Sequence, residues 1–279
     1  MTTVDATTAA ASPTAEADDH DVPGGLGWAL RDSWNEATRH LRAVPRSPEL
    51  LVFATIQPLM FVLLFRYVFG GAIAVPGYKN YAQFVVPGIF AQTVVFGSSF
   101  TAVGLADDLS KGFIDRLRSL PISQPAVLVG RTMSDLCRNL LTFATMLVVG
   151  FAVGFRFDGG LVNGIAAIAL LLSFSYSFSW IQALIGMSVS NVEAANSAGF
   201  LWMFPLTFIS SAFVPTKSMP SFLQGVAEWN PFTLVTNAAR TLFAGKPVGD
   251  AFWQSALWAI GITLVFSTLS IRKFTRSAS

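Results

Sequence analysis

From 161 to 187 the chain carries no charged side chain, and that run limits what the chain can become. About 20 consecutive apolar residues are what an α-helix needs to cross a hydrocarbon core of roughly 30 Å. Inside such a core every backbone N–H and C=O must be satisfied internally, so a long continuous run takes the form of a helix. Similar stretches recur at 50–69, 81–106, 125–153, 194–214 and 251–271. Of the 279 residues, 53% are hydrophobic and 12% charged, against about 25% charged in a soluble domain. A water-soluble surface cannot be assembled at that density. An outer-membrane barrel would show alternating segments of about 10 residues, whereas these runs are continuous. The expectation is an all-α integral membrane protein with six transmembrane helices.

The segments outside the runs differ in kind. Residues 1–24 are rich in Thr, Ala, Asp and Pro with no apolar period. They are expected to form a disordered cytoplasmic tail, and they lack the basic start and apolar core of a signal peptide. Over 26–44, Leu26, Leu30, Trp34, Ala37 and Leu41 recur at helical spacing while Arg31, Arg39 and Arg42 fall on other faces. That pattern predicts an amphipathic helix lying on the membrane surface. The stretch 215–249 is too apolar for an ordinary loop and too broken by Pro and Gly to span. It is expected to re-enter the outer face as a hairpin, with Phe222, Trp229, Phe232 and Phe243 at the interface. Basic side chains gather around 31–46, 111–131 and 272–276, which by the positive-inside rule places both termini in the cytoplasm.

Several function classes are excluded. A net charge of +2 supplies no footprint for nucleic acid. The single cysteine, Cys137, excludes an internal disulfide and a CxxC metal site. His20 and His40 have no metal-ligand spacing. The chain has no HExxH, GxSxG or GxxxxGK[ST] motif. No catalytic residue, cofactor or metal site is therefore expected. No internal repeat marks it as an inverted-repeat secondary transporter.

Ionisable residues within the apolar runs are few, and charge in lipid is costly enough to draw attention. Asp135 and Arg138 stand three apart, spaced to pair on one helix face. Two readings are open: a neutralised pair near the interface, or part of a transport path. Glu193 reads as a charge at a helix N-terminus. Gln92, Thr93, Ser98, Ser99 and Thr101 mark the second run, and a set of serines with Gln182 the fourth. Such side chains serve helix packing or line a path for an amphipathic substrate.

The remaining feature is a polar island at 107–123. Asp107 and Asp108 are expected at the start of a short helix, with Arg116 and Arg118 toward its end, as the helix dipole favours. Ile114, Leu117 and Leu120 form an apolar stripe and Pro121 ends it. A solvated connector helix fits this pattern, and so does a knob gripped by a partner's groove.

Asp108-Leu-Ser-Lys-Gly-Phe-Ile-Asp-Arg-Leu-Arg-Ser-Leu-Pro-Ile-Ser, followed by Ala126-Val-Leu-Val-Gly-Arg131, resembles the signature of type-2 ABC exporter permeases. The likeness is to the daunorubicin/doxorubicin-resistance group. A second block is similar too: Phe213-Val-Pro215, Met219-Pro220, then Trp229-Asn-Pro-Phe-Thr233, with Arg240 beyond. The resemblance implies one transmembrane domain over 25–279 in a bacterial plasma membrane. It implies that Asp108, Gly112, Asp115, Arg116, Leu117, Arg118 and Pro121 form the segment coupling to a separate ATP-binding subunit. That partner, in two copies, would bind ATP and Mg; this chain would bind neither. Trp229, Asn230, Pro231 and Phe232 become candidates for an outer gate. A permease dimer, of identical or paralogous chains, would export an amphipathic drug, polyketide or lipid. Many relatives carry an acid before the lysine–glycine pair where this chain has Ser110. Rival readings are export of a lipid-linked polysaccharide and, in another class, secondary transport.

Overall fold

The computed structural model describes residues 48–68, 78, 81–112 and 124–276. The tail 1–24, the surface helix expected over 26–44, and Asp115, Arg116, Leu117, Arg118 and Pro121 lie outside the described residues. Every regular element among those described is helical. Helix α1 (Pro48–Leu63) runs on into a π-helical turn, Leu64–Val68. Helices α2 (Tyr81–Gly97) and α3 (Ser99–Ser110) form one rod interrupted at Ser98. Then come α4 (Gln124–Ala152), α5 (Gly160–Gly186) and α6 (Val192–Phe208). Two short helices, α7 (Ser221–Trp229) and α8 (Pro231–Phe243), occupy the region expected to be a hairpin, and α9 (Asp250–Arg276) follows. Among the described residues, four helical stretches are long and apolar enough to cross a membrane: Tyr81–Ser110, Val127–Ala152, Gly160–Gly186 and Asp250–Arg276. The apolar helix Ile56–Val68 is shorter.

Helix α5 is the axis of the molecule, touching α2, α3, α4, α6, α8 and α9. Its sequence is apolar nearly all round, and its first half leaves one face exposed at Leu161, Val162 and Ile165 while the rest packs inward. Phe174, Phe178 and Leu171 are buried in the core. Small residues let neighbours come close: a Cβ at Gly186 would lie 2.5 Å from the Ala102 carbonyl oxygen on α3.

The interruption at Ser98 shows how the bundle keeps its backbone satisfied. The Ser98 N–H turns to the Val95 carbonyl at 3.0 Å. The Val94 carbonyl, which an unbroken helix would have paired with that N–H, instead accepts from Ser175 Oγ (2.7 Å) and Asn139 Nδ2 (3.3 Å). Asn139 also donates to Ser175 Oγ at 2.8 Å. Three helices thus meet at one freed carbonyl, the usual remedy where a helix bends in an apolar medium.

Asp107 and Asp108 depart from expectation. They lie in the last turn of α3, not at the start of a new helix. Negative charge at a helix C-terminus is unfavourable, and nearby cations offset it. Lys111 donates to Asp107 at 2.7 Å, and Arg131 of α4 reaches Asp108 at 2.8 Å. The hydrogen bond to Asp107 and its charge raise the Lys111 pKa above the ordinary value.

At the opposite end, a fully enclosed guanidinium ties three elements together. Arg240 of α8 donates through Nε to the Phe84 carbonyl (2.8 Å) and through Nη2 to the Ala212 carbonyl (2.8 Å). Its Nη1 reaches Ser211 Oγ and Asn237 Oδ1 at 3.2 and 3.1 Å. The cation also stacks 3.7 Å from the centre of the Phe84 ring. Beneath it Phe90, Phe143, Phe155 and Phe243 meet edge to face at 5.0–6.2 Å. Arg240→Met would strand the Phe84 and Ala212 carbonyls, costing about 3 kcal/mol. Thermal unfolding of the detergent-solubilised protein should show a clear loss. Arg240→Lys should rescue little of it, since one ammonium cannot reproduce a planar fork; full rescue by Lys would refute the clamp.

Candidate functional site

The polar residues singled out in the sequence come together along the inner flank of α2, α3 and α4. Arg131, Asp135 and Arg138 sit at i, i+4 and i+7 on α4, one face of a helix. Arg138 Nη2 donates to Asp135 Oδ1 at 2.8 Å, and Arg131 Nε lies 3.5 Å from Asp135 Oδ2. Thr101 on α3 donates its hydroxyl to Asp135 Oδ2 at 2.6 Å. With Asp108 the charges alternate along a ladder, Asp108–Arg131–Asp135–Arg138. The ladder rises about 10 Å along α4. Its buried point is Asp135, whose side chain is 4% exposed. A carboxylate so enclosed must be paired, and two cations and a hydroxyl pair it. Gly104 leaves the space for the Arg131 guanidinium to cross α3; any Cβ there would overlap it.

The lower end of the ladder adjoins the loop. Asp108 lies one helical turn before Gly112, which adopts a left-handed backbone at φ 64° that favours glycine. The upper end adjoins a cavity. Arg138 forms part of the wall of a space of about 410 Å³ between α1, α2, α3, α4 and α6. Its rings include Phe61, Phe96, Phe100 and Phe200; its polar groups include Gln92 and Asn139. The Arg138 guanidinium stacks 4.3 Å from the centre of the Phe100 ring. Glu193 sits at the cavity's edge in the first turn of α6, whose N-terminus Asn191 caps by accepting from the Ala194 N–H at 2.7 Å.

The outer-gate candidates go separate ways. Trp229 ends α7 with 77% of its surface exposed. Asn230 joins α7 to α8, donating to the Leu206 and Ile209 carbonyls at 2.7 and 2.6 Å and accepting from the Phe232 N–H at 2.8 Å. It therefore closes the C-terminal end of α6 while capping the start of α8. Pro231 takes the first position of α8, where its missing N–H costs nothing. Phe232 is in the core.

Sequence reasoning placed Asp135 beside Arg138 but left Arg131 among the cytoplasmic charges. Its i,i+4 spacing to Asp135 was the available signal. The link from Arg131 to Asp108 joins residues 23 apart and had none.

The described helices form a polytopic bundle of the kind that membrane proteins build, with an ion-paired polar flank on α3 and α4. Residues 35–244 match the ABC-2 type transporter family, and the chain belongs to that family. It is 35% identical over 239 residues to the daunorubicin resistance ABC transporter permease protein DrrB1 of Streptomyces coeruleorubidus, covering 85% of this chain and 83% of that one. To the probable doxorubicin resistance ABC transporter permease protein DrrC of Mycobacterium tuberculosis H37Rv it is 24% identical over 215 residues, covering 77% and 78%. To the inner membrane transport permease YadH of Escherichia coli K12 it is 24% identical over 233 residues, covering 79% and 85%. The chain is an ABC-2 permease, a subunit type that works with ABC ATP-binding subunits.

Asp135→Asn would leave Arg131 and Arg138 facing each other in a low dielectric and should destabilise the protein by about 3 kcal/mol. Arg138→Gln should cost less, because Arg131 and Thr101 still hold Asp135. The double variant should be more stable than Asp135→Asn alone, since Arg131 keeps Asp108. Thermal unfolding in detergent orders the three, and strict additivity would refute the ladder.

Proposed function

We propose that the chain is the membrane-spanning subunit of an ATP-driven exporter of an amphipathic molecule, located in the bacterial plasma membrane. The reading counts six spans: α1 with its π turn, the α2–α3 rod, α4, α5, α6 and α9. Helices α7 and α8 form the outer hairpin that closes the exit, and both termini face the cytoplasm. Two permease chains work with two ATP-binding subunits, which hold ATP and Mg. The drug-resistance wording in the names of DrrB1 and DrrC favours a drug-like cargo.

The observation that supports coupling is the charge ladder. It starts at Asp108, in the last turn of α3 within the island 107–123, and ends at Arg138 on the cavity wall. A push on the loop moves the end of α3, and through Asp108 and Arg131 it moves the face of α4 that bounds the cavity. Ion pairs suit this task because they can exchange partners between two packings without leaving a charge unpaired. Energy enters through the partner; the permease supplies the path.

Affinity purification of the full-length tagged chain from its host, in mild detergent, tests this reading. An ATP-binding subunit should co-purify in equal amount. Arg116→Glu with Leu117→Asp should abolish that co-purification and transport while leaving membrane insertion near normal. Retention of both in the variant would remove the loop from the coupling role.

A further inference from the structure

Gln92 stands in the middle of the α2–α3 rod and is 3% exposed, yet neither atom of its carboxamide has a hydrogen-bond partner among the described residues. Its neighbours behave differently. Thr93 donates to the Ile89 carbonyl at 2.8 Å, Asn139 to Val94 and Ser175, and Ser98 and Ser99 to carbonyls one turn back. Those side chains serve the fold. The Gln92 amide lines the 410 Å³ cavity, and a buried amide without a partner is a standing cost to the folded protein.

The walls around it are aromatic. Phe96 meets Phe200 edge to face at 5.5 Å, and Phe61 and Phe100 complete the enclosure. Flat rings present faces and edges to a flat ligand. The charge at Arg138 is already opposed by Asp135, which leaves the Gln92 amide as an unpartnered polar group in the wall, with Glu193 at the cavity's edge. The volume falls in the range of small-molecule sites. A carboxamide edge offers one donor beside one acceptor, and its complement is the same pair reversed.

We propose that this cavity binds a planar aromatic molecule carrying an adjacent hydrogen-bond donor and acceptor, of the kind a lactam presents, and that Gln92 is the residue that selects it. The proposal deepens the exporter reading by naming a cargo class, and it rests on that reading only in taking the bound molecule as cargo.

The test uses two fluorescent probes, phenanthridin-6(5H)-one and its N-methyl derivative, titrated against the full-length permease in nanodiscs with empty nanodiscs as blank. The lactam should bind about tenfold more tightly than the N-methyl compound, which keeps the acceptor and loses the donor. Gln92→Met, similar in shape, should lower lactam affinity by about tenfold or more and bind the two probes about equally, erasing the preference. The unliganded variant should unfold at the same temperature as the parent or higher, because the unpartnered amide is gone. Phe96→Ala, which removes a wall and keeps the amide, should weaken both probes alike. Equal binding of the two probes by the parent, absence of binding, or a Gln92→Met variant that unfolds well below the parent would each overturn the proposal. Binding requires neither nucleotide nor ATPase, so its failure leaves the coupling reading standing. Loss of ATPase co-purification with selective binding intact would remove coupling alone.

Discussion

A carboxylate buried inside a long apolar helix is costly unless paired, and the pairing of Asp135 organises the half of this molecule nearest the end of α3. Its two oxygens accept from Arg138 and Thr101, with Arg131 completing the charge balance. Meeting that demand brings α3 against α4. It also requires Gly104, because Arg131 must cross the α3 surface to reach both Asp135 and Asp108. The same contacts allow α3 to end in two aspartates, a sequence that disfavours a helix C-terminus on its own.

The same requirement acts on backbone groups elsewhere. Freed at Ser98, the Val94 carbonyl draws Ser175 and Asn139 into a junction of three helices. At the far end of the bundle Arg240 gathers carbonyls from α2 and from the turn after α6, and Asn230 gathers two more from the end of α6. Lipid offers no replacement for these bonds. Several polar side chains in this bundle therefore lie where a helix bends, stops or meets a charge.

The ladder and the cavity share Arg138, which gives the arrangement its mechanical sense. The charges of the ladder are matched and close, and the cavity is lined by rings on α1, α2, α3 and α6. In the coupling we propose, a displacement at the loop end would pass along the first to the second. Two discrete packings of such a unit, each with its charges paired, are what an alternating-access cycle needs.

Much of this was determined by the sequence alone. Uninterrupted apolar runs impose helices because backbone groups in lipid must pair within their own segment, and residues three or four apart on a helix must be neighbours, as Asp135 and Arg138 are. The island at 107–123 and the Trp229–Thr233 block carried the family resemblance. Only the tertiary structure decided where α3 ends, that Arg131 bridges two aspartates, that Asn230 closes a helix 21 to 24 residues earlier, and that Gln92 faces the cavity with neither atom of its amide partnered. Each of these depends on which helices touch. Periodicity shows which face of a helix is apolar, but in a bundle apolar on nearly all sides it does not say which neighbour that face will meet.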